Sequence, residues 1–120
     1  MAKKVLIIED EAPLAHALQM KLDHEGIESE TALGGEEGVA MLEKDEYGLI
    51  LLDLIMPKVD GFAVLNAIKE KKITTPVFVL TNLSQTEDEK KVKELGAEMF
   101  FVKSNTPLTT IVESVTQKLK

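Results

Sequence analysis

Short apolar runs that alternate with longer amphipathic segments constrain the fold of this chain most. Four runs are apolar at consecutive positions and are too short to be helices: Val5–Ile8, Leu49–Leu52, Val77–Leu80 and Phe100–Val102. Such runs are typical of strands buried on both faces, as in a parallel sheet. A weaker run, Ile27–Ala32, lies between the first two and predicts a fifth strand.

The segments between these runs have the period of amphipathic helices. Leu14, Leu18 and Leu22 recur every four residues, and Gly26 ends that pattern. A second stripe lies near the carboxyl end, at Leu108, Ile111, Val112, Val115 and Leu119. Both patterns predict helices with one apolar face.

Two shorter helices are predicted in the middle of the chain. One covers Gly35–Lys44. The other follows Asp60, whose carboxylate can cap a helix that runs from 61 to about 71.

Capping motifs mark the start of the last two helices. Ser84 and Glu87 have capping-box spacing and open a helix that ends before Gly96. Thr106 followed by Pro107 predicts a capping hydroxyl with proline at the first helical position.

Together these elements make five strand–helix units. Parallel neighbouring strands need right-handed crossovers, so helices must cover both faces of the sheet. The sequence therefore predicts a three-layer, doubly wound α/β fold. The length of 120 residues fits one domain over residues 1–120.

Composition excludes several classes of function. The absence of cysteine rules out disulfides, thiol catalysis and zinc–thiolate sites. The net charge of −7, with 14 lysines and no arginine, argues against direct nucleic-acid binding. No apolar run approaches the roughly 18 residues of a membrane span, so we expect a cytoplasmic protein without a membrane partner.

Polar residues follow four of the predicted strands. The set comprises Glu9, Asp10, Glu11, Asp53, Thr81, Asn82 and Lys103. In an open α/β sheet the ligand site lies beyond the carboxyl ends of the strands, so these side chains should meet at one edge. Taken singly, each is an ordinary loop, cap or surface residue, but their coincidence on one edge favours a function.

Asp53 is the least ordinary of them, because apolar residues flank it on both sides and buried acids are rare unless paired or metal-bound. If Glu9, Asp10 and Asp53 cluster, either one takes a proton or a cation enters. Oxygen ligands with room for water suit Mg²⁺ or Mn²⁺. Zinc is disfavoured, since His16 and His24 lie on the first predicted helix, away from this edge.

A divalent ion and an aspartate, with a lysine and a hydroxyl opposite, can support phosphoryl transfer. The metal and the amine neutralise phosphoryl charge, the hydroxyl donates a hydrogen bond, and the aspartate can be the nucleophile.

The segments VLIIEDE, LILLDLIMPKVDG, VFVLTN and FFVK give the chain its resemblance to a known family. In order and spacing they resemble the response-regulator receiver domain, the phosphoacceptor module of bacterial two-component signalling. The resemblance covers the whole chain. It implies the strand order 2-1-3-4-5 of the chemotaxis regulators, a case that is itself a known example of this topology.

The resemblance also implies a metal site around the phosphoacceptor. Asp53 matches the phosphoacceptor and a metal ligand, and Asp10 matches the direct Mg²⁺ ligand. Glu9 matches the acid that acts through a metal-bound water. Ile55 would offer its backbone carbonyl to the metal.

Three further positions match the switching residues of the family. Thr81 resembles the switch hydroxyl, and Lys103 resembles the lysine that pairs with the phosphoryl group. Phe100 stands at the position of the switch aromatic, although simple core packing explains an aromatic residue there equally well.

The chain departs from the family pattern near these residues. Ser104 replaces the proline that often follows the lysine, which puts the usual cis bond in doubt. Asn82 is bulkier than the usual small residue and could restrict access to Asp53 or bond to the phosphoryl group. Ile55 and Leu83 are apolar at positions that often tune phosphoryl lifetime, so we expect a long-lived aspartyl phosphate.

The resemblance implies a sensor histidine kinase or phosphotransfer protein as partner. The helix predicted near 85–95 has few apolar anchors, chiefly Val92 and Leu95, and weak burial makes an element easy to shift. We expect the fourth helix, fifth strand and fifth helix to form the output surface, for an effector or a homodimer.

Other classes of function remain open at this point. A metal-dependent phosphatase with an aspartyl nucleophile usually has a second aspartate where Ile55 stands. A flavin- or nucleotide-binding module would need a phosphate loop that EDE, after the first strand, does not offer. A degenerate receiver would lack Asp53 or Lys103, and both are present.

Overall fold

The structure, a computed structural model, describes residues 4–82 and 86–120. Its strands are β1 Val5–Ile8, β2 Ser29–Ala32, β3 Leu49–Leu52, β4 Val77–Thr81 and β5 Met99–Val102. Its helices are α1 Ala12–His24, α2 Gly35–Lys44, α3 Gly61–Glu70, α4 Thr86–Glu94 and α5 Leu108–Leu119. A 3₁₀ turn, Lys103–Asn105, joins β5 to α5.

All the strands are parallel, in the order β2-β1-β3-β4-β5. This confirms the predicted doubly wound fold and its strand order. The three central strands are buried along their whole length, whereas β2 and β5 form the edges and are partly exposed. The apolar runs therefore identified the strands because the central ones are covered on both faces.

The registers bring the carboxyl ends of the strands side by side. Ile8 lies opposite Leu52 on β3, and Thr81 lies opposite Val102 on β5. The Asp53 amide extends the first pairing by donating to the Ile8 carbonyl at 3.0 Å. Residues that follow these strands consequently emerge together at one edge.

Two apolar layers hold the helices on opposite faces of the sheet. Helices α2, α3 and α4 bury Leu42, Val64, Leu65, Ile68 and Val92 with the inward side chains of one sheet face. Helices α1 and α5 bury Ala15, Leu18, Leu22, Ile111, Val112 and Val115 on the other face. Alternate residues of β1, β3, β4 and β5 supply the two layers, as a pleated strand requires, whereas β2 supplies Ala32 to the first layer.

Two helix boundaries match their predicted signals. The Asp60 side chain accepts a hydrogen bond from the Ala63 amide at 2.9 Å and caps α3. Gly26 follows α1 with a φ of 76°, a left-handed conformation that glycine adopts without strain.

Two boundary predictions were wrong. β2 begins at Ser29 rather than Ile27, because the Ile27 amide donates to the Leu22 carbonyl at 2.9 Å and closes the end of α1. Thr106 does not cap α5: its hydroxyl donates to the Val102 carbonyl at 2.9 Å, and Pro107 takes the N-cap position. The proposed Ser84 cap lies outside the described residues.

A polar cluster lies at the opposite edge of the sheet, near the strand amino ends. Lys4 pairs with Glu30 at 2.9 Å and Asp45 at 3.1 Å, and the Tyr47 hydroxyl donates to Glu30 at 2.6 Å. These contacts fasten the edge strand β2 to the segment between α2 and β3. Within the residues described, no helix is long and apolar enough to cross a membrane.

Candidate functional site

The predicted polar residues meet at the carboxyl edge of the sheet. Glu9 and Asp53 directly follow the paired strands β1 and β3, and Thr81 ends β4. Lys103 opens the 3₁₀ turn after β5 and reaches back across the edge. Residues up to 94 positions apart in the sequence thus form one site, since Glu9 and Lys103 are in direct contact.

Asp53 is buried, with 3% of its surface exposed, and its chain neighbours Leu52 and Leu54 are buried as well. Its Oδ1 accepts a hydrogen bond from the Ile55 amide at 3.2 Å, and its Oδ2 accepts one from Lys103 Nζ at 3.0 Å. The Ile55 side chain is itself 53% exposed. The carboxylate is therefore held by a backbone amide on one side and an ammonium on the other.

The start of α3 packs directly against the backbone of Asp53. The Gly61 amide donates to the Leu54 carbonyl at 2.9 Å. A Cβ at Gly61 would lie 2.4 Å from the Asp53 carbonyl oxygen and 2.5 Å from Leu54 Cα, closer than atoms can approach. Glycine is required here because the backbones of the loop and the helix touch.

Lys103 is the centre of charge in the site. Its Nζ lies 2.7 Å from Glu9, 2.8 Å from Glu11 and 3.0 Å from Asp53, and its side chain is only 12% exposed. Burial alone would lower the pKa of Lys103, but its close contacts with the three carboxylates, Glu11 first, outweigh burial and raise the pKa. The ammonium is therefore charged at neutral pH.

Glu9 is almost completely buried, with 2% exposed. Its Oε2 accepts a hydrogen bond from the Glu11 amide at 3.0 Å, but its Oε1 is buried without a hydrogen-bond partner. The Lys103 ammonium lies 2.7 Å from Oε1 and offers it charge rather than an aligned hydrogen bond. Burial raises the pKa of Glu9 to about 7, and the Asp53 charge adds to the rise while Lys103 and the Glu11 amide oppose it.

These acids fit a divalent cation. Glu9, Asp10 and Asp53 each offer one carboxylate oxygen, and these oxygens lie within 4.8 Å of one another. The unpartnered Oε1 of Glu9 is an electron-rich atom without a donor, which a cation or its water could satisfy. An all-oxygen set of this kind suits Mg²⁺, whereas His16 and His24 are exposed on α1.

The remaining predicted residues surround this centre. Thr81 is fully buried at the end of β4, and Asn82 beside it is exposed. Phe100 is half-buried on β5, opposite Val79, and packs against the α2–α4 side of the core. The peptide bond between Lys103 and Ser104 is trans. Leu83 lies outside the described residues.

One member of the site received no role from the sequence. Glu11 contacts Lys103 at 2.8 Å, yet the sequence suggests only that it is one of three acids after the first strand. The available signal was its place at the sheet edge that also receives Lys103. Its pairing could not be predicted, because it depends on how far the lysine side chain reaches across the edge.

Comparison with known families gives a match along most of the chain. Residues 5–115 match the family model described as the response regulator receiver domain. The alkaline phosphatase synthesis transcriptional regulatory protein PhoP of Bacillus subtilis is 34% identical over 89% of this chain and 45% of its own length. The transcriptional regulatory protein DltR of Streptococcus agalactiae is 35% identical over 83% of this chain and 45% of its own length. The chain thus spans less than half the length of these curated relatives.

Solved structures match the whole fold. A Francisella response regulator 1452 receiver domain superposes with a TM-score of 0.92 at 26% identity, covering 98% of this chain and 96% of that one. The response regulator TrrA from Thermotoga maritima, solved in complex with Mg²⁺ and BeF, gives a TM-score of 0.85 at 30% identity, with coverages of 98% and 99%. The Vibrio cholerae chemotaxis protein CheY4 gives 0.89 at 27% identity, with coverages of 99% and 100%.

Proposed function

The chain belongs to the response regulator receiver domain family, and we propose that Asp53 is its phosphoacceptor. The phosphoryl group would come from a sensor histidine kinase, a phosphotransfer protein or a small phosphodonor. One observation carries this proposal: a buried aspartate lies 3.0 Å from a buried lysine, beside two further acids. Such a carboxylate is held ready as a nucleophile rather than solvated as a surface charge.

The residues around Asp53 would have different roles in phosphoryl transfer. An Asp53 carboxylate oxygen attacks phosphorus as the bond to the leaving group breaks. The Ile55 amide, 3.2 Å from Oδ1, holds the carboxylate in position. Lys103 and the Thr81 hydroxyl would neutralise and hydrogen-bond the phosphoryl oxygens.

We propose Mg²⁺, with Mn²⁺ as a substitute, as the cofactor. Asp10, Asp53 and the Ile55 carbonyl would hold the ion directly, and Glu9 would act through a water. Bound there, the ion would supply positive charge that offsets the negative charge of the acids and the phosphoryl oxygens. The TrrA complex contains Mg²⁺ and a beryllium fluoride group in a related chain, which supports this choice.

The phosphoryl group would change the surface formed by α4, β5 and α5. Its added charge at the sheet edge would draw Thr81 and Lys103, which end β4 and follow β5. Phe100, half-buried on β5, would move with Thr81. This surface would then bind an effector or a second receiver.

The proposed activity is self-modification and its reversal, not turnover of external phosphate esters. The aspartyl phosphatases considered above have a second aspartate two residues after the nucleophile, and the residue at that position, Ile55, is apolar and exposed. Curated relatives are named as transcriptional regulators, but with a net charge of −7 this segment would act on protein partners rather than on DNA itself.

Incubation with acetyl phosphate and Mg²⁺, followed by intact mass measurement, tests the phosphoacceptor. We expect one phosphoryl adduct, which does not form when the metal is chelated before the phosphodonor is added. Asp53→Asn should abolish it. An adduct that persists in Asp53→Asn, or none on wild type with either acetyl phosphate or phosphoramidate, would contradict the proposal.

The output surface has a separate test. Amide shifts are measured by NMR on adding beryllofluoride with Mg²⁺. We expect shifts in α4, β5 and α5 as well as around Asp53. Shifts confined to the pocket would mean that the signal does not leave by this surface.

A further inference from the structure

We propose that Glu11 is a positioning residue that competes with the phosphoryl group for Lys103 and so slows phosphorylation of Asp53. The inference rests on the proposed phosphoacceptor function. It assigns a role to an acid that the metal and phosphoryl chemistry leaves unused.

The position of Glu11 is fixed by its backbone. Its amide donates to Glu9 Oε2 at 3.0 Å, and its carbonyl accepts from the Ala15 amide at 3.0 Å. The side chain then extends from the start of α1 to Lys103 at 2.8 Å, joining segments 92 residues apart. Glu11 thus links the β1–α1 connection to the turn after β5, with Lys103 between it and Asp53.

The three carboxylates around Lys103 differ in what they would lose. Glu9 is buried, so removing the ammonium would leave a buried charge uncompensated, which is costly. The contact of Lys103 with Asp53 passes to the phosphoryl group that Asp53 then carries. The Glu11 side chain is 60% exposed and would be hydrated when released. When a phosphoryl group needs a Lys103 donor, the contact with Glu11 is therefore the one that yields.

The ammonium has three N–H donors, and three carboxylates already surround it. Phosphorylation replaces the single charge of the Asp53 carboxylate with about two charges spread over three phosphoryl oxygens, so the site gains about one negative charge. Lys103 donates to Glu11 and Asp53, and it brings a second donor to the phosphoryl oxygens by turning away from Glu11. The strength of the Glu11 contact thus opposes the state in which the phosphoryl group is bound.

The reaction with acetyl phosphate measures this competition. The Asp53 carboxylate oxygen forms a bond to phosphorus while the bond from phosphorus to the acetyl oxygen breaks, and acetate leaves. No net proton or electron is transferred. The rate of adduct formation is read by intact mass in the presence of Mg²⁺.

We expect Glu11→Gln to raise the rate about two- to fivefold, the range for losing one exposed ion pair. Glu36→Gln is the matched control. Glu36 is exposed in the first turn of α2, at the same edge of the sheet, and is not among the carboxylates that pair with Lys103. The Glu36→Gln substitution removes the same charge as Glu11→Gln and should leave the rate of adduct formation unchanged.

A double-mutant comparison separates competition from simple charge repulsion. In a Lys103→Gln background, Glu11→Gln should have no larger effect than Glu36→Gln, because the competing partner is gone. An equal acceleration in that background, or no acceleration in the wild-type background, would overturn the proposal.

The contact also has a readout that needs no phosphorylation. The ¹⁵N signal of the Lys103 ammonium should shift in Glu11→Gln and stay in place in Glu36→Gln. An unchanged signal in Glu11→Gln would overturn the proposal. If wild type takes up no phosphoryl group, the phosphoacceptor function fails, and the ammonium signal still reports whether Glu11 holds Lys103.

Discussion

Single residues decide the geometry around Asp53. Gly61 lets the first turn of α3 touch the Asp53 backbone, since a Cβ there would meet main-chain atoms that cannot rotate away. Asp53 in turn is held by the Ile55 amide and by Lys103. Adding one methyl group at Gly61 should therefore displace Asp53, the proposed phosphoacceptor.

We expect Gly61→Ala to lower the free energy of unfolding by about 3 kcal/mol, the upper end for overpacking, because the clash is with backbone. Gly34→Ala is the control: Gly34 precedes α2 with nothing within 4 Å of its Cβ position. Gly34→Ala should lower the free energy of unfolding by about 1 kcal/mol or less, because alanine is a weaker N-cap than glycine. Urea unfolding measures both, and equal losses would contradict the close-approach argument.

Residue types and positions in the sequence predicted which side chains share the site. The acids after the first and third strands and the lysine after the fifth could be placed at one edge, because parallel strands end together. The sequence did not predict the ion pair of Lys103 with Glu11 or the hydrogen bond from Thr106 to Val102. Both depend on side-chain reach across loops, for which the sequence carries no periodic signal.

At the scale of elements, α4 differs from α3 in how it is anchored. α3 buries Val64, Leu65 and Ile68. Among residues 87–94 of α4, whose side chains are described, only Val92 is buried, and Lys91 lies over the Phe62 ring at 4.4 Å. Few apolar contacts allow α4 to open without unfolding the domain.

Matched valine truncations test this difference. Val64→Ala should cost about 2 kcal/mol of global stability, since α3 cannot leave the core alone. Val92→Ala should cost less globally but speed amide exchange across 87–94. Hydrogen exchange with urea unfolding measures both, and equal global losses without faster exchange in α4 would show that α4 is anchored as firmly as α3.

The edge strand β2 is fastened by charge rather than by a large apolar face. The Tyr47 hydroxyl, and then Lys4, lower the pKa of Glu30 below its ordinary value of 4.5. A carboxylate with a depressed folded pKa contributes stability above its unfolded pKa. That contribution is lost as the pH falls through the folded pKa.

Tyr47→Phe should therefore destabilise the domain by about 1 kcal/mol at pH 7, the scale of one hydrogen bond to a partly exposed group. The difference from wild type should shrink as the pH falls below 4.5, because protonated Glu30 no longer needs the hydroxyl. Unfolding curves at a series of pH values check this. A difference that stays constant through acid would contradict the role of Glu30.

At the scale of the whole molecule, negative charge is unevenly placed. The chain carries −7 overall, and four of its acids, Glu9, Asp10, Glu11 and Asp53, crowd one edge of the sheet. Like charges in the folded state oppose folding, and a bound cation relieves that opposition. Magnesium should therefore stabilise the domain more than ionic strength alone.

We expect Mg²⁺ to raise the melting temperature above that in KCl of equal ionic strength, by about 4 °C for each kcal/mol of binding in a domain of 120 residues. Asp10→Asn should melt higher than wild type without Mg²⁺, since one repelling charge is gone, and should lose the response. Thermal unfolding is measured for wild type and Asp10→Asn, each with and without Mg²⁺. An identical response to Mg²⁺ in Asp10→Asn would remove Asp10 from the proposed ligands.

The overall architecture was predictable because its signals are redundant. Consecutive apolar runs marked the buried strands, and helical stripes marked the layers on both faces. The predicted bounds were least accurate for the edge strand β2. This strand is only partly buried, and its first predicted residues close the end of α1 instead. Burial on both faces is what makes a strand visible in sequence.

The parallel pairing also sets when the site can exist during synthesis. Glu9, Asp53 and Lys103 come from the beginning, middle and end of the chain and meet only after β5 pairs with β4. A ribosome-bound chain that has not yet released residue 103 holds its acids without their ammonium. Under the proposed function, a chain can therefore accept a phosphoryl group only once residue 103 has joined the site.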